Sequence, residues 1–193
     1  MGHNANFHLN FPVDRRGQIH ENDAMAVRGL RRLIDATYGP GTDLARGRVT
    51  AVDGFRGHAP RGANEPLAAS PFDGSKAVDG DPRTYWATDD GVRSATIEVE
   101  LDPAAAWDRV VLAEPTELGQ RIRRFRVSVP AGPGTSNNNR DWRVLAEGTT
   151  VGHRRIVRVP VTRASTVRVE ILDARACPLL SAVGVHKTKP GPG

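Results

Sequence analysis

The sequence has 193 residues, of which 38% are hydrophobic, 25% charged and 5% aromatic. This length fits one large domain, or one domain with an appended fragment, and the hydrophobic share is sufficient for a folded core. No apolar run approaches the roughly 20 residues that a membrane-spanning helix needs, and the N-terminus MGHNANFHLNF lacks the layout of a signal peptide. A single cysteine, Cys177, excludes an intrachain disulfide and a cysteine-based zinc site, and its surroundings favour an inert, buried thiol.

Charge is distributed unevenly along the chain. Residues 121–193 carry 14 basic and 4 acidic side chains, whereas residues 1–120 carry 13 basic and 18 acidic ones. Such asymmetry is typical of some nucleic-acid-binding proteins. Here, however, the arginines alternate with apolar residues, as on the outer face of strands, and no interleaved surface aromatics accompany them. We therefore expect neither a nucleic-acid partner nor a membrane partner.

The first zone of the chain, residues 1–41, predicts one strand and one helix. The strand is the apolar run FHLNF (7–11), which ends at Pro12. The helix is predicted over 23–38, with Asn22 or Asp23 as its cap and with Gly39-Pro40-Gly41 at its end. An apolar stripe that needs a packing partner runs along this helix and consists of Val27, Leu30, Leu33 and Ile34.

The second zone, residues 42–187, changes to a period of two, and residues 188–193 predict a disordered tail. Strict alternation buries one face of each strand and exposes the other. Short strands separated by Gly/Pro/Asn-rich turns, with a surface loop at 130–141, predict a mainly β fold, an antiparallel β-sandwich. The residues predicted to face the core are Ala95, Ile97, Val99 and Leu101; Phe125, Val127 and Val129; Val157, Val159 and Val161; and Val167, Val169 and Ile171.

Two segments carry dense motifs. The matching residues are Leu9, Asn10, Pro12, Asp14, Arg16, Gly17, Ile19, His20, Glu21, Asn22 and Asp23 in the first segment, and Ala77, Asp79, Gly80, Asp81, Thr84 and Trp86 in the second. With these residues, residues 7–39 resemble the closing strand, loop and helix of the (β/α)8 catalytic barrel in family 29 α-L-fucosidases. Residues 76–101 resemble the discoidin, or coagulation factor 5/8 type C, sandwich. Residues 110–127, 146–160 and 174–185 are similar to the version of that sandwich found after fucosidase barrels.

The resemblance implies the C-terminal part of an α-L-fucosidase-like glycoside hydrolase. A terminal βα unit of the barrel (1–41) would precede a discoidin-like, galactose-binding-like jelly roll (42–187). A whole barrel takes about 250 residues, and the two carboxylates of the family lie on earlier barrel strands, so we identify no catalytic residue here. We expect an ancillary, carbohydrate-binding-module-like domain that is inactive alone. The alternative is a structural domain that docks onto a separately encoded fucosidase barrel and completes the enzyme.

The parent family is often secreted, periplasmic or lysosomal, and the sequence leaves the compartment open. Glycans containing fucose or galactose are the expected ligands.

Candidate glycan-binding residues are Trp142, His153 and Arg154. Trp142 follows the polar loop 130–141, and aromatic rings stack on the apolar faces of sugars. His153 and Arg154 lie in a Gly-bounded turn and would supply hydrogen-bond donors. The alternative is that Trp142 is an ordinary strand residue and His153 a solvated turn residue. Trp86 is expected to pack in the core.

A structural calcium ion is also implied by the resemblance, although no cofactor is required. In the discoidin pattern the ligands would be the Ala77 carbonyl and the side chains of Asp79, Asp81 and Thr84. Calcium prefers such oxygen ligands. Ala182 stands where the family commonly supplies a glutamate, which should weaken the site. The alternative is that residues 79–82 form a tight turn in which Asp side chains bind nearby backbone amides.

Overall fold

The computed structural model describes residues 2, 7–52, 54–57, 70–132 and 141–189. These residues form one α-helix and ten strands. The elements are α1 (Glu21–Tyr38), β1 (Val49–Val52), β2 (Trp86–Ala87), β3 (Ala95–Glu100), β4 (Trp107–Ala113), β5 (Ile122–Pro130), β6 (Trp142–Gly148), β7 (Arg155–Thr162), β8 (Thr166–Ala174), β9 (Leu179–Leu180) and β10 (Ala182–His186).

The strands form an antiparallel sandwich, as predicted. One sheet has the order β1-β3-β8-β5-β6, the other has the order β10-β4-β7, and β2 pairs with β9 beside them. Their inner faces enclose the core, in which Trp86, Trp107 and Phe125 are the largest fully buried side chains. The predicted inward-facing residues are buried except Val161, which is 62% exposed. A register shift between β4 and β7 near Trp107 changes the alternation at that end of β7, which explains the error.

The two ends of the sandwich differ. The antiparallel register places the connections after β1, β4, β6 and β8 at one end, which we call the loop end. The opposite end, which we call the helix end, carries the connections after β3 and β7 together with α1. The loop end comprises residues 54–57, 88–91, 114–121, 149–154 and 175–178.

The N-terminal zone is only partly as predicted. α1 is present and ends before Gly39, whose N–H donates to the Asp35 carbonyl at 2.9 Å. Its cap is His20, whose Nδ1 accepts from the Asn22 N–H, so the prediction of Asn22 or Asp23 as the cap was wrong. Residues 7–11 form no strand, because within the described chain no neighbouring strand pairs with them.

A buried junction joins α1 to the sandwich. The ring of His186, the last residue of β10, meets the Tyr38 ring edge-on at 5.2 Å between centroids. His186 Nδ1 lies 3.3 Å from Thr42 Oγ1, and that hydroxyl donates to the carbonyls of Thr37 and Gly39 at the end of α1. This histidine is 5% exposed, so burial lowers its pKa below 6.5. Arg154 acts in the same direction and the Asp43 carboxylate opposes it.

The segment after α1 also covers the free edge of β10. The Leu44 N–H donates to the Val185 carbonyl at 2.8 Å, and the Val185 N–H donates to the Asp43 carboxylate at 2.9 Å. After β10 the chain remains ordered for three more residues. The Thr188 N–H donates to Asp108 Oδ1, so the predicted disordered tail does not begin at residue 188. Residues 190–193 lie outside the described residues.

A buried carboxylate fixes the loop end. Glu114, which is 1% exposed, accepts three backbone N–H groups, from Arg121 (2.7 Å), Ile122 (2.9 Å) and Gly152 (2.6 Å). These bonds satisfy a charge that would otherwise be costly to bury. They also tie the connection between β4 and β5 to the turn before β7.

We expect Glu114→Gln to lower the free energy of unfolding by about 1–3 kcal/mol, because the amide N–H2 would face a backbone donor and leave it unpaired. Urea unfolding measures this change. Glu117→Gln is the control, since Glu117 is exposed in the same connection and should change stability by less than about 0.5 kcal/mol. Equal midpoints for the two variants would contradict the structural role of Glu114.

We also expect the free energy of unfolding to decrease as the pH is lowered through the titration of His186. Its folded-state pKa is lowered, so the unfolded chain binds more protons and stability increases with pH. The contribution is complete above the unfolded pKa of about 6.5 and is lost as pH falls toward the folded pKa. Melting at pH 7.5 and 5.5 measures it. His186→Gln should flatten this dependence, whereas the exposed His153→Gln should not; identical profiles for both variants would refute the assignment.

Candidate functional site

The segment predicted to bind calcium, residues 79–84, is a hydrogen-bonded turn. Asp79 Oδ1 accepts the Asp81 N–H at 2.9 Å, and Gly80 has a φ of +78°, which suits glycine. The Thr84 hydroxyl donates to Asp79 Oδ2 at 2.7 Å and lies 3.0 Å from the Asp81 carbonyl oxygen. The Asp79 carboxylate and the Asp81 carbonyl oxygen therefore both lie within hydrogen-bond distance of the Thr84 hydroxyl.

The carboxylate of Asp81 is engaged elsewhere. The Arg83 side chain and backbone N–H donate to it, and this lowers the pKa of Asp81 to about 2. Within the described residues, no group of three or more His, Cys, Asp or Glu side chains is arranged to hold a metal ion. The oxygen atoms of the Asp79 carboxylate, the Thr84 hydroxyl and the Asp81 backbone carbonyl are of the type that calcium binds. Only one of these three groups is a carboxylate.

Trp142 lies at the start of β6 at the helix end, where it is partly buried. The Arg168 guanidinium stacks on its ring, 3.7 Å from the centroid. Arg168 in turn forms an ion pair with Glu98 across β3 and β8. One face of the indole is therefore already covered by a cation held in place by a carboxylate.

His153 and Arg154 lie at the loop end and are exposed. The whole of β6 separates them from Trp142, which is roughly 20 Å for a seven-residue strand. The fold therefore does not bring the three predicted glycan-binding residues together. His153 and Arg154 follow Gly152, whose amide is fixed by Glu114.

A group of polar side chains that the sequence did not single out lies at the loop end. Arg56 forms an ion pair with Asp90, and the guanidinium lowers the pKa of that carboxyl. Beneath them lies Cys177, which is 3% exposed, and its Sγ accepts from Arg121 at 2.8 Å and from Arg56 at 3.4 Å. The sequence predicted the burial of this thiol but not its arginine partners, which come from positions 56 and 121. Asp89 and Asp90 lie in a turn, and Asp89 accepts the Gly57 N–H at 2.9 Å.

α1 carries the other candidate surface. Its only buried residue is Thr37, Leu30 is 43% exposed, and the remaining predicted stripe residues, Val27, Leu33 and Ile34, are partly exposed. The segment before and within the helix adds further exposed apolar side chains. These are Phe7 (69% exposed), Leu9 (43%), Val13 (66%), Ile19 (49%) and Met25 (57%). Among the helices described, none is long and apolar enough to span a membrane.

Comparison with known proteins identifies relatives of both zones. Residues 76–169 match the model of the F5/F8 type C, NedA-like, galactose-binding domain. Alpha-L-fucosidase 1 of Arabidopsis thaliana is 24% identical over 191 residues, which is 98% of this chain and 34% of that protein. The structure of a Ruminococcus gnavus family 29 fucosidase in complex with fucose is 29% identical, with a TM-score of 0.80, covering 97% of this chain and 34% of that one.

A carbohydrate-binding module shares the fold of the sandwich. Chitosan-binding module 2 of a Paenibacillus sp. IK-5 chitosanase/glucanase, solved with chitotriose, is 23% identical with a TM-score of 0.58 over 74% of this chain. The 193 residues span about a third of the length of the fucosidases they match. Residues 76–169 are thus similar to the NedA-like, galactose-binding domain of the F5/F8 type C family, and the chain as a whole is similar to the C-terminal third of family 29 α-L-fucosidases.

Proposed function

We propose that this chain is an ancillary, non-catalytic domain of a fucosidase-type glycoside hydrolase that packs against the catalytic barrel through α1. The observation that carries this proposal is the exposed apolar face of α1 in a chain that matches only the last third of such enzymes. In a barrel, the last helix packs its apolar stripe on the strands and on neighbouring helices. The occupant of the α1 face is therefore the remainder of a fucosidase barrel, whether it belongs to the same polypeptide or is encoded separately.

The shape of the exposed surface supports this partner. α1 touches the sandwich mainly at its last turn, through Tyr38 and His186, and the Thr37 hydroxyl lies 3.5 Å from the Lys189 N–H. The preceding turns project their apolar residues outward. Contiguous exposed apolar surface of this kind marks a protein interface, and the rigid last turn would hold the sandwich at a fixed position on the barrel.

We infer that the retaining-glycosidase carboxylates belong to the barrel and not to this chain. Such enzymes use two carboxyl groups about 5–5.5 Å apart, one as nucleophile and one as acid/base. The exposed pair Asp89 and Asp90 is committed to turn and ion-pair contacts with Gly57 and Arg56. Hydrolysis of fucosides is therefore assigned to the barrel.

Glycan binding by the sandwich is the second part of the proposal, and the match of residues 76–169 to a galactose-binding domain favours it. Recognition on such a scaffold is expected at loops held by rigid strands. His153 and Arg154 stay candidates at the loop end. Trp142, at the other end, is a separate candidate, and neutral sugars containing galactose or fucose are the expected ligands.

We expect the purified chain to release no fucose from a chromogenic fucoside, and activity to appear when a fucosidase barrel encoded directly upstream is added. Leu30→Lys should weaken this association by about 10- to 100-fold, since it removes about 1.5–3 kcal/mol of apolar burial. Ala36→Lys is the matched control, because Ala36 is exposed on the same helix and gains the same charge. Turnover that survives repurification of the chain, or equal binding of both variants, would refute the proposal.

A calcium ion held by Asp79, Thr84 and backbone oxygens of residues 77 and 81 is also proposed, with weak affinity, because affinity follows ligand charge and number. We expect the chain to stay folded in EDTA and its melting temperature to rise only at millimolar calcium. Asp79→Ala should abolish the calcium-dependent increment. Asp102→Ala, which removes a similar turn contact to Ala104 at the helix end, should retain it. An identical midpoint in EDTA and calcium would rule out the ion.

A further inference from the structure

The contacts that join α1 to the sandwich are concentrated at its last turn. Thr37 is the one buried residue of the helix, and its hydroxyl lies 3.5 Å from the Lys189 N–H. The Tyr38 ring meets the ring of His186 edge-on. The side chains of the preceding turns are partly or fully exposed. The attachment of α1 therefore depends on few contacts, and the ring contact with His186 is one of them.

The chain directly after α1 provides a hinge. It reads Gly39-Pro40-Gly41, and Gly41 has a φ of +79°, a conformation that suits glycine. Beyond it, Asp43 and Leu44 are hydrogen-bonded to the backbone of Val185 in β10. A movement of α1 can therefore be absorbed at residues 39–41 while the following segment stays bound to the edge of the sheet.

The hydrogen bonds of Thr42 assign the hydrogen on the neutral ring of His186. The Thr42 hydroxyl lies 2.9 Å from the Thr37 carbonyl oxygen and 2.8 Å from the Gly39 carbonyl oxygen, so its hydrogen is used there. The hydroxyl oxygen is left to accept from His186 Nδ1, which lies 3.3 Å away. Nδ1 therefore carries the hydrogen in the neutral ring, and Nε2 is the atom that gains a proton when the pH falls.

His186 Nε2 faces a small space above Gly184. A Cβ atom on Gly184 would lie 3.0 Å from His186 Nε2 and also 3.0 Å from Asp43 Oδ2. The other oxygen of this carboxylate, Oδ1, accepts the N–H groups of Ala45 and Val185, which fixes its position. A proton on Nε2 would therefore be placed near one carboxylate oxygen.

The remaining surroundings of the ring oppose that proton. Burial is the largest effect, and it lowers the pKa of His186. The Asp43 carboxylate and the backbone of Thr37 and Thr42 raise this pKa, and Arg154 lowers it. The balance favours the neutral ring for as long as α1 covers it.

Charged groups on β4, after β10 and on α1 do not offset this balance. The strand register places Arg109 directly opposite His186. The carboxylate of Asp108 is engaged by Lys187 Nζ at 3.1 Å and lies 3.6 Å from the Arg109 guanidinium. On α1, the Asp35 carboxylate forms an ion pair within the helix. These carboxylates are already paired with cations, so they do little to favour a further positive charge on the ring.

We propose that His186 is a pH-sensitive joint, which holds α1 on the sandwich while its ring is neutral and releases α1 when Nε2 gains a proton. The proposal rests on the proposed packing of α1 against a barrel and names a regulation of that surface. On release the ring meets water and binds a proton as an exposed histidine does, so a falling pH favours the released state. A helix of 18 residues is marginal when isolated in water, so released α1 loses its ordered apolar face.

The test is hydrogen–deuterium exchange of the full chain at pH 7.5 and 5.5, with the protection of α1 and of β8 expressed relative to unfolded peptides at the same pH. We expect α1 to be less protected than β8 at both pH values, because α1 opens by a local movement. Its protection should fall by up to about tenfold between pH 7.5 and 5.5, since an exposed histidine has a pKa of about 6.5. Equal protection of α1 and β8 would overturn the local release.

Two histidine variants separate the joint from the start of the helix. His186→Gln still donates a hydrogen bond to Thr42 but does not titrate, so α1 should keep the same protection at both pH values. His20 also titrates and caps α1 through its Nδ1. His20→Asn is therefore the control, because asparagine is a good cap that carries no charge, and it should respond to pH like the wild type. A pH response lost in His20→Asn and kept in His186→Gln would overturn the proposal.

Two charge variants test the direction of the effect. Asp43→Asn keeps an oxygen for the Val185 N–H but removes the charge that favours the protonated ring, so α1 should lose more protection at pH 5.5 than in the wild type. Arg154→Gln removes an opposing cation, so α1 should lose less. Equal losses in the two variants would contradict the role of His186, and this comparison does not depend on the folding of His186→Gln.

The exchange measurements need no barrel, so their failure would overturn the joint and leave the proposed packing of α1 in place. Binding of a barrel encoded directly upstream, measured at the same two pH values, tests the regulation. We expect wild-type binding to weaken by up to about tenfold at pH 5.5 relative to His186→Gln. The same pH dependence in both chains would overturn the regulation. No binding at either pH would overturn the proposed packing of α1, and the regulation with it.

Discussion

The buried carboxylate of Glu114 is the constraint on which the organisation of the loop end depends. It accepts backbone N–H groups from two separate connections, at Arg121, Ile122 and Gly152. Because Arg121 is fixed at its backbone, its guanidinium reaches the carbonyl of Leu118 and the thiol of Cys177. The thiol then supports Arg56. A single buried charge thus orders a continuous row of contacts from the turn before β7 to the loop after β1.

The helix end of the sandwich is held together by different contacts. There the contacts join α1 to the strands through His186, Tyr38 and Thr42, and polar bonds replace a broad apolar interface. α1 consequently keeps its own apolar face for another partner. The proposed glycan recognition at the loop end and the proposed packing on the barrel at the helix end would be separated by the length of the strands, so one would not obstruct the other.

The sequence predicted the strands whose alternation is regular, together with α1 and the burial of Trp86. It missed β4, because this strand is central in its sheet and nearly every residue of WDRVVLA is buried, which leaves no alternation to detect. The strand expected at residues 7–11 is absent because a strand needs a neighbour, which periodicity cannot reveal.

The candidate sites were harder to predict than the fold. Eleven positions separate Trp142 from His153. They lie at opposite ends of the sandwich because β6, which runs between them, is an extended strand. The contacts of Cys177 with Arg56 and Arg121 span 121 and 56 positions. The sequence shows which side chains could bind a ligand. Which of them lie close together depends on the register of the strands and on the contacts that hold the loops. The turn at Asp79 was recognised by its pattern, but the engagement of Asp81 with Arg83 was not.

The segment between α1 and β1 has a consequence for self-association. An uncovered edge strand offers a row of free N–H and C=O groups to other chains. The backbone of Leu44 and the carboxylate of Asp43 occupy these groups at Val185 in β10, and Pro160 removes a donor from β7, the other edge strand of the same sheet. At both edges of the three-stranded sheet, fewer backbone groups are therefore available to pair with an added strand. Association through the edges of this sheet is thereby disfavoured, and the proposed packing of a partner on α1 would rest on side-chain contacts with the helix.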